Sequence, residues 1–231
     1  NQSSNNFNYK RYRSLKNRLG RGGIDGFKRK WNKYKVIEQE IFSINQYFIG
    51  RTLWDKSQTL SLNQKANYFQ GEELLREPFY NTNWGLNECE RNSIFISSGS
   101  YPLKGLHLLI EAVNIVKEKY PNLKIYVPLA NIKIKLGVKD YLIGEDYSIY
   151  ISHLVKKLAL SNNFIFLKRL SAKEMAEQFS KSHVFTLPSY IENSSNAFGE
   201  AMMVGTPTIA AFTGGIGSIV ENEKSSLFFP I

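Results

Sequence analysis

Short apolar runs and amphipathic stretches alternate along this chain from about residue 93 to residue 229. The stretches predict helices near 105–119, 147–160, 171–180, 197–204 and 215–221. The apolar runs predict strands near 93–97, 123–127, 163–167, 183–187, 207–211 and 226–229. Strands that alternate with helices form a parallel sheet with helices on both faces, so we predict an α/β fold. The residues from Asn131 to Tyr147 are interpreted as a longer surface connection.

The segment from Pro188 to Gly215 carries the strongest chemical signal. It places Glu192 before a polar run, and Glu200 follows within a short predicted helix. If that helix begins at Ser195 or Asn196, either side chain can cap it, and its free backbone N–H groups favour an anion such as a diphosphate. A carboxylate accepts hydrogen bonds from neighbouring hydroxyls, which suits sugar and ribose. The segment therefore predicts a binding site at the carboxyl end of a strand, where open α/β sheets bind ligands.

Each part of this segment also has a structural explanation when it is taken alone. Glu200 can be a first-turn acid that stabilises the helix dipole, and Glu192 can be a solvated loop residue. Gly214 and Gly215 can form an ordinary turn. The order and spacing of all the parts together favour the functional interpretation.

The pattern Glu-x7-Glu, after Pro-Ser and before Gly-x-Pro and Gly-Gly, resembles the nucleotide-sugar site of retaining glycosyltransferases of family 4 (glycosyl transferases group 1). These enzymes have the GT-B fold, with two Rossmann-like domains. The resemblance implies that Glu192 is catalytic, contacting the transferred sugar, and that Glu200 holds the ribose hydroxyls. It implies a diphosphate at the backbone after Glu192, and a glycine pair near the donor sugar and phosphate, which gives the donor-binding residues Ser195, Asn196, Ala197, Gly214 and Gly215.

A second loop, after the strand at 93–97, adds a basic residue to this site. By the same resemblance Lys104 reaches the diphosphate as a catalytic cation, and Ser98, Gly99 and Ser100 line the donor. Family members usually have an arginine at the position of Gly99, so its absence leaves the charge to Lys104, backbone donors and the serines.

Two further positions follow from the resemblance. The usual glutamate after Gly214-Gly215 is replaced by Ser218. The nucleobase is expected near Leu167 and Lys168.

The resemblance implies transfer of a sugar from a nucleoside diphosphate sugar to a glycan or lipid-linked acceptor, with retention of the anomeric configuration. No cofactor and no metal are expected, because the helix end and Lys104 meet the phosphate charge. The sequence has no Asp-x-Asp motif, and its three histidines lie in helix or strand runs. An epimerase of the same fold and a binding module without catalysis stay open as alternatives.

The resemblance also predicts the domain organisation. Residues 1–90 are assigned to the end of an amino-terminal acceptor-side domain and the crossing, and residues 91–231 to the donor-binding domain. We expect a fragment truncated at both ends, with little transferase activity of its own. In the amino-terminal part, Tyr47 to Gly50 predicts a strand, and Thr52 and Asp55 are candidate caps of the next helix. Arg51 and Asp55 are interpreted either as a structural ion pair or as substrate contacts.

Charge is concentrated at the beginning of the chain. Eleven of the thirty basic residues lie within residues 1–36, with Asp25 as the one acid there, so this segment carries the whole net charge of +10. Aromatic residues are interleaved with the charges. The segment fits an anionic membrane surface or the solvated face of helices, and nucleic acid is the least favoured partner. Because Cys89 is the only cysteine, no disulfide can form within the chain, and we expect a cytoplasmic location, in part at the inner face of the membrane.

Overall fold

The computed structural model describes residues 9–128, 132–220 and 223–231. Its main sheet has six strands, all parallel, in the order β5-β4-β3-β6-β7-β8. These strands are β3 (Glu90–Phe95), β4 (Lys124–Val127), β5 (Phe164–Phe166), β6 (Ser182–Leu187), β7 (Thr208–Ala211) and β8 (Leu227–Phe229). The order is that of a doubly wound sheet, in which the chain builds outward from β3 to β5 and then returns to the other side of β3.

Helices cover both faces of this sheet. They are α4 (Leu106–Val116), α5 (Val138–Ile143), α6 (Asp146–Lys157), α7 (Ala172–Lys181) and α8 (Asn196–Val204). Side chains on a strand alternate between faces, so Ile96 joins a core with α4 and α6, whereas its neighbour Phe95 joins a second core with α7 and α8. The predicted α/β fold with a parallel sheet is confirmed.

All six predicted strands of this sheet are present, as are the first four predicted helices, with boundaries that differ by a few residues. The helix predicted near 215–221 is wrong, since the described part of it contains only a 3₁₀ turn at Ile216–Ser218. Gly215 and Gly217 lie in this stretch, and glycine disfavours a regular helix. The connection predicted from residue 131 to 147 contains the short helix α5, and Asn131 itself lies outside the described residues.

The amino-terminal part contains a smaller parallel sheet of two strands, β1 (Tyr47–Gly50) and β2 (Asn67–Gln70), joined through helix α3 (Leu53–Leu62). The caps predicted for α3 are confirmed. The Thr52 hydroxyl accepts a hydrogen bond from the Asp55 N–H, and the Asp55 carboxylate accepts one from the Thr52 N–H. The division into domains at residues 90 and 91 stays a prediction.

The basic segment forms helices α1 (Leu15–Arg18) and α2 (Gly23–Ile44). A buried carboxylate attaches it to helix α6, because Asp146 at the start of that helix accepts a hydrogen bond of 2.7 Å from the Asn17 side chain and one of 3.3 Å from the Ser14 N–H. Among the described residues, no helix is long and apolar enough to cross a membrane.

Candidate donor site

The loops that follow β3 and β6 meet at the topological switch point of the sheet. At this point the chain connections leave β3 and β6 toward opposite edges of the sheet. At Gly105, where φ is +71°, an added Cβ would lie 1.8 Å from the carbonyl oxygen of Pro188. The N–H of Tyr190 donates a hydrogen bond of 2.9 Å to the carbonyl of Leu103. The two loops therefore touch through their backbones at the sheet edge where doubly wound folds bind ligands.

One ion pair joins these two loops. The Lys104 Nζ contacts the Glu192 Oε1, and the side chains of both residues are mostly buried, at 23% and 11% exposure. The two predicted catalytic residues, 88 positions apart in the sequence, are thus brought together. The fold places a cation and an anion side by side at the predicted phosphate and sugar positions.

The predicted glycine pair supports the loop that carries Glu192. The N–H of Gly215 donates a hydrogen bond of 2.9 Å to the Glu192 carbonyl. A Cβ at Gly214, where φ is +55°, would lie 1.9 Å from that same carbonyl oxygen, and a Cβ at Gly215 would lie 2.2 Å from the Asn193 oxygen. Only glycine fits this close approach without moving the loop.

Helix α8 begins in this loop without a side-chain cap. Ser195 is its N-cap residue, but the Ser195 side chain accepts no hydrogen bond from the helix, and Asn196 is already inside the helix. The prediction that one of these two side chains caps α8 is therefore wrong. Because the first N–H groups of a helix have no partner within it, those at Asn196 and Ala197 are suited to an anion.

Two asparagines of the loop are held by the amino-terminal part. The Asn193 amide accepts a hydrogen bond of 2.6 Å from the Thr52 hydroxyl and donates one of 2.9 Å to Asp55. The Asn196 amide accepts one of 2.9 Å from Arg51 and donates one of 3.1 Å to Glu73. Each amide is thus fixed at both its oxygen and its nitrogen.

The role expected of Arg51 and Asp55 as an ion pair with each other needs correction. The Arg51 guanidinium pairs with Glu73, while Asp55 accepts a hydrogen bond of 2.9 Å from the backbone N–H of Arg51. Burial raises the pKa of the Asp55 carboxyl, but hydrogen bonds from Tyr68, Arg51, Asn193 and Thr52 outweigh burial, so the net shift is downward. Asp55 is held ionised as a structural acceptor.

Glu200 has a partner that sequence reasoning did not identify. Arg76, from the segment that precedes β3, donates to the Glu200 Oε1 from its Nε at 3.0 Å and from its Nη2 at 2.6 Å. The Glu200 side chain is 4% exposed and that of Arg76 is 53% exposed. The two residues are 124 positions apart, and no local pattern predicts such a pair.

A cavity of about 310 Å³ opens beside this pair. It lies between the start of α8 and the loops that follow β3, β4 and β5, and its lining residues are Arg76, Ser97, Pro128, Arg169, Leu170, Met175, Asn196, Ala197 and Glu200. The cavity therefore offers a carboxylate, two guanidinium groups and a helix end to one ligand.

The predicted nucleobase residues and the predicted donor residues of the loop after β3 adjoin, in the sequence, residues that line this cavity. Lys168 directly precedes the lining residue Arg169, and Leu167 precedes Lys168. The hydroxyls of Ser98 and Ser100 are 3.4 Å apart in the loop after β3. A Cβ at Gly99 would lie 2.5 Å from the Leu106 side chain, so a larger residue there would displace Leu106.

Ser218 and the buried His107 form hydrogen bonds that hold the segments around the candidate site in place. The Ser218 hydroxyl accepts a hydrogen bond of 3.3 Å from the Leu53 N–H at the start of α3. The His107 ring lies 2.9 Å from the Tyr147 hydroxyl and 3.2 Å from the Tyr190 hydroxyl, and burial lowers its pKa to about 4. A neutral imidazole at this place holds Tyr190, two residues before Glu192.

The described residues contain no group of three or more His, Cys, Asp or Glu side chains arranged to hold a metal ion.

Residues 81–230 match the family model described as glycosyl transferases group 1. This match covers well over half of the chain, so the chain belongs to that family. An aligned relative is a D-inositol 3-phosphate glycosyltransferase of Stackebrandtia nassauensis, 30% identical over 126 residues, which are 54% of this chain and 27% of that relative. An uncharacterized glycosyltransferase of Methanocaldococcus jannaschii is 22% identical over 84% of this chain and 45% of its own length. The chain thus spans less than half the length of these relatives.

Solved structures share the fold. Sucrose-phosphate synthase from Thermosynechococcus elongatus matches 84% of this chain and 48% of its own, with a TM-score of 0.66 and 19% identity. The Anabaena HepE protein in complex with UDP-glucose matches 80% of this chain and 50% of its own, with a TM-score of 0.63 and 17% identity. These neighbours confirm the GT-B class of fold.

Proposed function

We propose that this chain supplies the donor half of a retaining glycosyltransferase of family 4, which moves a sugar from a nucleoside diphosphate sugar to a glycan or lipid-linked acceptor. The observation that carries the proposal is the contact between Lys104 and Glu192 beside the uncapped start of α8. Membership of the glycosyl transferases group 1 family and the bound UDP-glucose of the HepE protein support this choice of donor.

The residues divide the donor among them. The diphosphate lies on the N–H groups at the start of α8, Glu192 faces the sugar, and Glu200 faces the ribose. The Lys104 ammonium exchanges the Glu192 carboxylate for a phosphate oxygen when the donor enters. Lys104 and the helix end then stabilise the charge that develops on the leaving diphosphate, and stabilisation of this kind is usually the largest catalytic contribution.

The transfer step breaks the bond between the anomeric carbon and the β-phosphate oxygen, and the nucleoside diphosphate leaves with the electron pair. The acceptor hydroxyl forms its bond on the face from which the diphosphate departs, so the anomeric configuration is retained. The hydroxyl proton passes to the departing phosphate oxygen. No metal or cofactor takes part in this proposal.

Donor binding is tested with the chain itself. Thermal shift and calorimetry with UDP, GDP, ADP and their glucose conjugates should show stabilisation by one nucleoside diphosphate and its sugar, and none by the free sugar. The control is UMP, which lacks the second phosphate and should bind at least about 10-fold more weakly, because it loses charge-assisted hydrogen bonds. If no nucleoside diphosphate stabilises the chain, the proposal is wrong. Where transfer occurs, the anomeric configuration of the product by NMR decides retention.

We propose in addition that the basic segment attaches the protein to an anionic membrane surface on the cytoplasmic side. Helix α2 exposes Phe27, Trp31 and Tyr34, and basic residues such as Lys30 and Lys33 stand between them. Each basic residue near an anionic surface contributes about 1 kcal/mol.

The membrane proposal is tested by sedimentation with liposomes. The chain should be retained on phosphatidylserine liposomes at low salt, and not on phosphatidylcholine liposomes or on heparin at matched salt. Substitution of Trp31 and Tyr34 by Ser should reduce retention, because their rings would enter the interface. Equal retention on heparin would contradict the proposal.

A further inference from the structure

The Arg76–Glu200 pair is built asymmetrically. Both guanidinium contacts, from Nε and Nη2, reach the same carboxylate oxygen, Oε1. Arg76 is fixed in turn, because its guanidinium carbon lies 5.0 Å from the centre of the Phe79 ring, and Phe79 is fully buried in the core beside α7 and α8. Arg76 and Glu200 line the same cavity as Ala197.

We propose that Arg76 is a positioning residue for the nucleotide. It holds Glu200 by Oε1 and turns Oε2 toward the cavity, where that oxygen accepts hydrogen bonds from the ribose hydroxyls. This inference rests on the proposed function and adds to it a residue from outside the motif-bearing loops. The ribose end of the donor site thus depends on the segment that precedes β3.

The electrostatics of the pair agree with this role. Burial raises the pKa of Glu200, and the hydrogen bonds and charge of Arg76 act in the opposite direction. Glu73 raises the pKa of Glu200 further, and the positively charged Arg169 lines the same cavity. Without Arg76, the Glu200 carboxylate would be a buried charge without its partner, and its protonation would extend toward neutral pH.

The experiment takes the nucleoside diphosphate that stabilises the chain most among UDP, GDP and ADP, called UDP below for brevity, and compares its binding with that of its 2′,3′-dideoxy analogue by calorimetry between pH 6 and pH 8. The wild-type chain should bind UDP at least about 10-fold more tightly than the dideoxy analogue, because two hydrogen bonds to a carboxylate are lost. Arg76→Met should reduce that ratio to less than about 3-fold and make it depend on pH. Arg76→Lys should keep part of the ratio, since it keeps the charge but not the fork of two donors.

Two controls separate positioning from general damage. The double variant Arg76→Met/Glu200→Gln should lose the pH dependence, because it has no carboxyl to titrate. Arg91→Met removes an exposed positive charge from β3 and should leave the ratio unchanged. If Arg76→Met does not fold, Arg76→Lys decides the question by the same ratio.

The outcomes distinguish this inference from the proposed function. If the wild-type chain binds no nucleoside diphosphate, the proposed function fails, and this inference fails with it. If the wild-type chain prefers UDP and the Arg76 variants keep the whole preference at every pH, only the role of Arg76 is wrong. An equal loss of affinity for both nucleotides without pH dependence would show a merely structural arginine, and would also overturn the inference.

Discussion

The two carboxylates of the proposed donor site are held by different parts of the fold. Glu192 is paired with Lys104, and both lie on loops at the same edge of the main sheet, between neighbouring strands. Glu200 is paired with Arg76, which reaches it from the segment before the first strand of that sheet. The first pair follows from sheet topology, whereas the second depends on how one connecting segment packs against α8. A ligand that contacts both carboxylates would therefore depend on two separate ion pairs. A substitution can disrupt one of these pairs and leave the other intact.

The backbone contact under the Lys104–Glu192 pair should give the largest effect. Gly105→Ala puts a Cβ at 1.8 Å from the Pro188 carbonyl at a positive φ, and should lower the free energy of unfolding by about 2–5 kcal/mol, as well as weakening UDP binding. Gly20→Ala is the matched control, because Gly20 has φ of +77° and nothing within 4 Å of an added Cβ. Urea unfolding measures both. An equal loss in the free energy of unfolding for the two variants would show that the loops do not depend on this contact.

The charge of the same pair should matter next. Lys104→Met removes the cation and leaves Glu192 to repel the diphosphate, so the affinity for UDP should fall about 10- to 100-fold. Lys181→Met, which removes an exposed lysine of α7, is the control and should leave the affinity within about 2-fold. Calorimetry at fixed ionic strength measures both variants. A similar affinity for wild type and Lys104→Met would remove Lys104 from the phosphate site.

Glu192→Gln should act in the opposite direction on the nucleotide. It frees Lys104 from its present partner and removes a negative charge, so UDP should bind a few-fold more tightly, by about 0.5–1 kcal/mol. UDP-sugar should not gain in the same way, because Glu192 faces the sugar in the proposed arrangement. Paired titrations with UDP and UDP-glucose test this difference. If both ligands respond equally, Glu192 does not distinguish sugar from phosphate.

At the other end of the site the effect should appear only as a change with pH, in the stability of the fold. The pKa of Glu200 is raised by burial above its ordinary value of 4.5, so the folded chain binds its proton more tightly than the unfolded chain does. This carboxyl therefore stabilises the fold less and less as the pH rises from 4.5 to the raised pKa of the folded chain. Relative to wild type, Glu200→Gln should gain stability over that window, by less than about 1.4 kcal/mol per pH unit. Urea unfolding at pH 4.5 and 7.5 gives the comparison, and a difference that is constant with pH would contradict it.

The Lys104–Glu192 end was largely predictable from sequence, and the Arg76–Glu200 end was not. Strand, loop and helix signals around Lys104 and Glu192 are local, and a parallel sheet brings the carboxyl ends of neighbouring strands to one edge. The hydrogen bonds of Asn193 and Asn196 to residues 51–55 and Glu73 join distant parts of the chain, and no spacing rule predicts them. The prediction of a side-chain cap at Ser195 or Asn196 was wrong for a similar reason, because the amide of Asn196 is hydrogen-bonded to Arg51 and Glu73 instead.

The sequence by itself determined the α/β class, the six strands, and the loops that carry Glu192 and Lys104, because hydrophobic periodicity and glycine positions act within a few residues. It determined the family as well, through motifs confined to those loops. Only the tertiary structure decided that Arg76 holds Glu200, that Asp55 supports Asn193, and that α8 begins without a cap. These contacts join residues more than a hundred positions apart, and their partners are selected by the packing of the whole fold.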